Sequence, residues 1–417
     1  MRRLYSALLA LSMPLILLRL WWRGRREPGY RRDVAQRFGS YELPKAEKLV
    51  WVHAVSVGEV RAAAPLVRAL QAALPDHRIL MTCTTAAGRE TLRQVYGDSV
   101  EASFVPYDLP SAVRHFLDYF RPRLGVIMET EVWPNLIGAC AASGIPLVLA
   151  NARMSEKSAR GYARLSSLTR PAFAALTAVC AQSAADAERL RSLGAARVQV
   201  SGNLKFDAAP NSTQLSAGPA PRARREALGR PVLLLASTRE GEEQLLLKEA
   251  GEVGTDTLIV VVPRHPQRFD EVSQFAQSRR TRNPVPAATD RVHLGDTMGE
   301  MAFYYAAADV AVIGGSFLPL GGQNLIESLA AGTPVILGPH MFNFSEATAL
   351  ALEAGAAIQA SDPRAAMSSA TELLRDEKRR RVMAEAGKKF CEAHRGAAQR
   401  QLAVCLEVLG IKAQGRD

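Results

Sequence analysis

Residues 49–74 read LVWVHAVSVGEVRAAAPLVRALQAAL. The first five, Leu49–His53, form an apolar run of branched and aromatic side chains, the pattern of a strand buried on both faces. From Gly58 the period changes. Val60, Ala63, Leu66, Val67, Leu70 and Leu74 fall on one side of a helix running to residue 74. A strand that leads directly into an amphipathic helix is the repeating unit of a parallel sheet covered by helices.

The same unit recurs outward from this stretch. Arg78–Thr82, Ala102–Pro106, Leu124–Met128, Pro146–Asn151, Val179–Gln182 and Val198–Ser201 read as further strands with helices between them. The pattern stops near Asp207. Residues 208–224, AAPNSTQLSAGPAPRAR, lack an apolar period and are rich in Pro, Ala, Ser and Gly, so they read as a linker. A second series follows, with strands at Val232–Ala236, Thr257–Val262, Arg291–Leu294, Val310–Ile313 and Pro334–Leu337, and helices at 242–250, 266–278, 298–308 and 323–331. A basic helical tail covers about 364–411. The expectation is two α/β domains facing a cleft: residues 23–207, a linker at 208–224, residues 225–390, and a C-terminal helix and tail at 391–417. In such folds ligands bind beyond the carboxyl ends of the strands.

The N-terminus is different. Residues 4–18, LYSALLALSMPLILL, are almost wholly apolar; Arg19 breaks the run before Leu20, Trp21 and Trp22 extend it. Residues 1–22 therefore read as a membrane anchor without a small-residue cleavage site. The run is short for a span, which needs about 20 apolar residues, so a crossing helix and an in-plane anchor both stay open, as does a buried helix of the first domain. Basic residues are denser after the run than before it, which places the following domains in the cytoplasm.

Composition limits the remaining classes. Among 417 residues, 48% are hydrophobic and 22% charged, values that exclude a disordered or fibrous chain. The net charge of +11 is concentrated at the start, where residues 1–40 hold nine arginines against Glu27 and Asp33. Aromatics are only 6% and no basic stripe interleaves with them, so nucleic acid is the weakest partner class. Cys83, Cys140, Cys180, Cys391 and Cys405 are scattered without disulfide or zinc spacing and read as small buried hydrophobes. No metal or other cofactor motif is present, and GxGxxG and GxxxxGK[ST] are both missing.

The strand ends carry the candidate chemistry. HAVSVGE at 53–59 puts Glu59 in a first helical turn, where it can complement the helix dipole or act as a base. METEVWPN at 128–135 crowds Glu129, Glu131 and Trp133 into one turn. GNLKFD at 202–207 places Lys205 beside the linker. In the second half, ASTREGEE at 236–243 carries Arg239, and PRHPQRF at 263–269 carries Arg264 and His265. GGSF at 314–317 and GGQNLIE at 321–327 offer paired glycines before a helix, a means of bringing backbone N–H groups to phosphate. Glu327, three residues after Asn324, shares its helical face and can hold ribose hydroxyls. Together these loops suggest a nucleotide-type donor.

With RLWWRGR at 19–25, PYDLP at 106–110, ANAR at 150–153, GDTMGEM at 295–301 and GPHMFNF at 338–344, these segments make the chain resemble the 3-deoxy-D-manno-octulosonic acid (Kdo) transferases of lipid A biosynthesis. The resemblance runs in order through most of the chain. It implies a GT-B glycosyltransferase of two Rossmann-like domains, needing no metal or cofactor and inverting the anomeric centre. The implied donor is CMP-Kdo, and the implied acceptor is the tetra-acylated, bis-phosphorylated lipid A precursor. The implied place is the cytoplasmic face of the inner membrane, against its lipids. By motif, Glu59 would be the general base. Arg264, His265, Met298, Gly299, Ser316, Asn324 and Glu327 would bind the donor, and Glu129, Lys205 and Arg239 would contact Kdo or acceptor. Gln323 and Arg239 stand where many relatives carry His, which puts any histidine chemistry at those positions in doubt here. Other readings are a GT-B enzyme or epimerase using another nucleotide sugar, and a membrane-tethered binder without turnover.

Overall fold

In the computed structural model, residues 1–44, 46–208 and 229–411 are described; the expected linker at 208–224 lies, beyond residue 208, outside them. The chain divides into two units: residues 1–208 with 395–417, and residues 209–394.

The first unit is built on a seven-stranded, wholly parallel sheet in the order β3-β2-β1-β4-β5-β6-β7. Its strands are β1 (Leu49–His53), β2 (Arg78–Cys83), β3 (Glu101–Phe104), β4 (Leu124–Met128), β5 (Leu147–Ala152), β6 (Ala178–Ala181) and β7 (Val198–Val200). Alternation along β1 shows why the run is apolar throughout. Val50 and Val52 join one core, with Leu66, Leu70 and Leu92, while Leu49 and Trp51 join another on the opposite face, with Phe116 and Phe173. The expected helix at 58–74 is two helices, Val57–Ala62 and Ala64–Ala73. Pro65 accounts for the break, since it has no N–H to continue the first helix but suits the first turn of a second.

After the second unit the chain returns to the first. Helix Ala397–Val408 buries Leu402, Val404, Cys405 and Leu406 against the Val50 face of the sheet. Asp207 fixes its start by accepting from the N–H groups of Gly396 (2.7 Å) and Ala398 (2.6 Å).

The second unit repeats the plan with a parallel sheet in the order β10-β11-β9-β8-β12-β13-β14. Its strands are β8 (Val232–Thr238), β9 (Leu258–Pro263), β10 (Ser278–Arg279), β11 (Val292–Leu294), β12 (Val310–Ile313), β13 (Val335–Leu337) and β14 (Ala357–Gln359). The expected helix over 266–278 is instead a series of short turns, with helix only at Phe269–Val272. The helix expected from 298 runs Met301–Ala307, and the one expected from 323 begins at Ile326.

Ahead of the first unit's sheet lies helix Arg2–Arg26, long and apolar enough to cross a membrane. All five cysteines are buried, as small hydrophobes are expected to be.

Candidate active site

Each sheet reverses its strand progression at one place, between β1 and β4 in the first unit and between β8 and β12 in the second. Loops leaving neighbouring strands at such a point diverge to opposite faces and open a crevice at the carboxyl ends. Glu59 and Glu129 stand at the first of these points and Arg239, Ser316, Asn324 and Glu327 at the second, while Arg264 and His265 follow the neighbouring β9, Met298 and Gly299 follow β11, and Lys205 follows the edge strand β7.

In the first unit, Ser56 caps helix Val57–Ala62 through the Glu59 N–H. Glu59 reaches back, its carboxylate accepting from Val55 N–H (2.8 Å) and Ser56 Oγ (3.1 Å). This is close to a capping box, which explains Ser-x-x-Glu locally. The same turn leaves the carboxyl half-buried. Burial, then the charge of Glu129, then that of Glu131, push its pKa up to about 7, against the lowering effect of the Val55 and Ser56 hydrogen bonds. A helix cap alone would sit near the usual carboxylate range. This one is poised to exchange a proton at neutral pH.

Glu129 follows β4 with φ +59°, a left-handed conformation unusual for a non-glycine residue. Glu131 accepts from Trp133 Nε1 (2.7 Å), and burial raises its pKa. Lys205 lies within electrostatic reach of Glu129, Arg153 and Glu59; burial lowers its pKa, while the two carboxylates act in the opposite sense. Glu59, Glu129 and Lys205 are thus brought together. Lys205 is positioned by Asn151, whose side-chain oxygen accepts from Leu204 N–H (3.0 Å), and by Asn203, which accepts from Lys205 N–H (3.0 Å). Asn151 is a site-shaping residue that sequence reasoning passed over. Its one signal was its place at the end of a strand in ANAR. Two buried polar atoms at this rim, His53 Nε2 and Asn151 Nδ2, have no hydrogen-bond partner among the described residues, a feature uncommon in folded interiors. His53 donates or accepts through Nδ1 to Thr82 and is held neutral by burial, which lowers its pKa to about 4.

In the second unit, Glu242 organises the loops. It is fully buried, and its carboxylate accepts from the N–H groups of Arg239 (3.0 Å), Gly315 (2.5 Å) and Phe317 (3.0 Å). The two glycine loops are joined by Gly322 N–H to Gly315 O (2.7 Å) and Gln323 N–H to Gly314 O (3.0 Å). Gly314 must be glycine, because a Cβ there would lie 2.5 Å from Thr238 Cα. Arg264 Nε donates to Gln323 Oε1 (3.1 Å), so the PRHP and GGQN segments meet at an arginine. Burial, followed by the Arg239 and Arg264 charges, lowers the pKa of His265. An anion set here would meet the positive charges of Arg239 and Arg264; the N–H groups of Gly314, Gly315, Phe317, Gly322 and Gln323, expected from the paired glycines to face phosphate, are instead spent within the loops.

Other expected donor residues are placed differently. Asn324 stands before its helix, accepting from Ile326 N–H (3.1 Å) and donating to Glu327 (2.9 Å). It therefore closes the turn ahead of the helix and orients Glu327 instead of sharing its face. Ser316 is fully buried, its hydroxyl donating to Ile313 O (2.5 Å) and accepting from Gly338 N–H (2.9 Å). Met298 is half-exposed, and Gly299 has φ +82° with open space around its Cβ position. Among the described residues, no three His, Cys, Asp or Glu side chains are grouped to hold a metal ion.

Comparison with known proteins agrees with this architecture. Residues 32–208 match the 3-deoxy-D-manno-octulosonic-acid transferase family, and residues 288–390 match the glycosyl transferases group 1 family. A 3-deoxy-D-manno-octulosonic acid transferase of Bordetella pertussis is 44% identical over 98% of this chain and 100% of its own. That of Haemophilus influenzae is 35% identical over 96% and 97%. A UDP-GlcNAc 2-epimerase structure from Neisseria meningitidis, 16% identical, covers 87% of this chain and 99% of its own with a TM-score of 0.58, a likeness of fold. The two seven-stranded units form a GT-B fold, and the chain belongs to the 3-deoxy-D-manno-octulosonic acid transferase family of glycosyltransferases.

Proposed function

We propose that the protein moves Kdo from CMP-Kdo to the tetra-acylated, bis-phosphorylated lipid A precursor, with inversion at the anomeric carbon. The observation that carries this reading is the half-buried Glu59 beside Glu129, with a pKa near 7 at the β1–β4 switch point. Glu59 takes the proton of the acceptor hydroxyl. The oxygen forms a bond to the Kdo ketosidic carbon, the bond from that carbon to the phosphate oxygen breaks, and CMP leaves with the electron pair. Residues 23–207 serve the acceptor and residues 225–390 the donor. Arg264 and His265 meet the CMP phosphate, with Arg239 adding positive charge. Glu327, oriented by Asn324, receives ribose hydroxyls. Met298 and Gly299 border the nucleotide, and Ser316 supports it by tying the GGSF loop to Gly338. Glu129 and Lys205 contact Kdo or acceptor.

The N-terminal helix associates with inner-membrane lipids, holding both units on the cytoplasmic face. An acceptor that is itself a membrane lipid is then met at raised effective concentration.

The test is CMP release from CMP-Kdo with and without the acylated acceptor, by wild type and Glu59→Gln. Acceptor-dependent release that collapses in the variant, with CMP still bound, supports donor, acceptor and base together. Release unaffected by the acceptor, or retained by Glu59→Gln, refutes the acceptor or the base respectively. Competition by UDP as strong as by CMP refutes the donor.

A further inference from the structure

We infer that the N-terminal helix lies flat in the headgroup layer of an anionic membrane, on one side of it, along the carboxyl-end rim of the first sheet. This rests on the membrane association proposed above and decides between its two forms.

Both ends of helix Arg2–Arg26 are tied to the same folded unit. At its start, Ser6 Oγ and the Asn135 side chain are hydrogen-bonded (2.9 Å), and Tyr5 shares a hydrogen bond with Asp108. The Arg2 guanidinium fills the space over Gly138, where a Cβ would lie 2.1 Å from it. Mid-helix, Met13 is buried. At its end, Arg31 donates to Trp21 O (3.0 Å) and Arg23 to Tyr30 Oη (2.7 Å). The turn Pro28–Arg31 rests on Ala86, whose Cβ would be 2.9 Å from a Cβ at Gly29. From residue 5 to residue 24 the helix rises about 28 Å, close to the hydrocarbon thickness of about 30 Å. If the helix crossed, Tyr5 and Gly24 would stand on opposite membrane faces. Asp108 and Asn135, buried in the folded unit, would have to follow Tyr5 across.

The opposite face is apolar. Leu4, Leu8, Leu11, Leu15, Leu18 and Trp22 follow one another at intervals of four and three, and each is more than half exposed. This is the spacing of a helix with one long stripe. Basic residues stand at both ends, Arg2 and Arg3 before the stripe and Arg19, Arg23 and Arg25 towards its close. A crossing helix would divide them between two membrane faces; a flat one keeps them all on the cytoplasmic side. Arg25 and Arg31 lie over the Trp21 ring at 4.3 Å and 4.9 Å, a basic and aromatic pair suited to headgroup depth. The same arginines argue against a second copy as the covering partner, since pairing the stripes would crowd like charges.

The tie-points also orient the domain. Ala86, Asp108 and Asn135 follow β2, β3 and β4, at the rim that bears Glu59 and Glu129. A membrane plane set by the helix therefore runs beside those carboxylates, where a lipid-borne hydroxyl can reach them without its acyl chains leaving the bilayer.

The full chain carrying Leu4→Cys, Leu11→Cys or Leu18→Cys, nitroxide-labelled beside the five buried native cysteines, is bound to phosphatidylethanolamine–phosphatidylglycerol vesicles. Depth is read from oxygen against nickel-chelate accessibility. All three labels at one shallow depth, about 5–10 Å below the headgroups, is the expected result. A Leu11 label near the midplane, at about 15 Å, with the other two near opposite surfaces, overturns the flat helix while leaving membrane association intact. Spin–spin broadening between labels overturns it in favour of paired copies. Unlabelled wild type should bind these vesicles more than tenfold tighter than phosphatidylcholine vesicles. Equal binding refutes the anionic surface, and no binding to either removes the membrane association itself. Leu11→Trp in a Trp21→Phe, Trp22→Phe background, without labels, gives a second reading of depth through quenching by lipids brominated at known positions. Quenching strongest by the shallow bromines is expected, and quenching strongest near the bilayer centre refutes the flat helix independently.

Discussion

If Glu59 is the base, its ionisation sets the acid limb of the pH–rate profile, and its neighbours set where that limb falls. Burial, Glu129 and Glu131 raise the pKa to about 7, and the Val55 and Ser56 hydrogen bonds hold it down. Transfer requires the carboxylate, so kcat/KM should rise tenfold per pH unit up to about 7 and then level. Glu129→Gln removes a like charge and keeps the shape. Burial outranks Glu129 as a cause, so the limb should move to lower pH by the order of half a unit to one unit, or about 1 kcal/mol. Ser56→Ala removes a hydrogen bond to the ionised form and should move the limb to higher pH. The assay is CMP release at subsaturating acceptor from pH 5 to 9, with CMP binding followed in parallel. Opposite displacements by the two variants are the signature of one titrating group at Glu59. A limb that stays fixed in both, or that survives in Glu59→Gln, would refute the reasoning.

The same carboxyl bears on stability. Its folded pKa lies above the ordinary value of 4.5, so the ionised form is the costly one in the folded state. Stability from this group is fully present below pH 4.5 and is lost as pH rises through 7. Glu59→Gln should therefore be more stable than wild type at pH 8 by about 2–3 kcal/mol, with the gap closing towards pH 4.5, as thermal unfolding will read. Glu242→Gln puts an N–H₂ donor among three backbone donors in a fully buried position; chemical denaturation should show a loss of about 2–4 kcal/mol. Gln323→Met removes one acceptor of Arg264 and should weaken CMP binding by about 1–2 kcal/mol in titration calorimetry, with little change in unfolding temperature. Asp207→Ala uncaps helix Ala397–Val408 and should cost about 1–2 kcal/mol of unfolding free energy without altering CMP affinity.

The expected strands are all present because each is a short apolar run closed by turn residues, a signal carried within a few residues. The two that were missed, Ser278–Arg279 and Ala357–Gln359, are too short to establish a period. Helix limits were less legible. Glycines of positive φ at 321 and 322 hold GGQN out of helix until Ile326, and the segment after PRHP forms 3₁₀ turns on either side of Phe269–Val272. The strand-end positions of Glu59, Glu129, Arg264 and Glu327 were legible, because each follows a short apolar run that the sequence marks as a strand. Their division of labour was not. Asn324 and Ser316 spend their hydrogen bonds on loop geometry, and Glu242, one of three acids in EGEE, is the buried brace between the Arg239 turn and the GGSF loop. No local pattern separates a brace from an exposed carboxylate, because the difference lies in backbone donors 70 or so residues away.

Backbone strain follows the same rim. Among the described residues five non-glycine residues have positive φ, and three of them, Glu129, Asn151 and Ser237, stand at or near the carboxyl ends of β4, β5 and β8. Each conformation costs of the order of 1–3 kcal/mol, and the surrounding bonds hold it in place. Glu129 N–H donates to Ala150 O, and Asn151 is fixed by Gln401, Gln182 and Leu204. Gln401 belongs to the helix that returns after the second unit. The last helix of the chain thus steadies a strained strand end in the first unit, and through Leu204 it steadies the segment that presents Lys205. That gives the return of the chain a physical purpose. Without Gln401 the Asn151 N–H would lose its acceptor, the strained turn would relax, and Lys205 would no longer be held near Glu59 and Glu129.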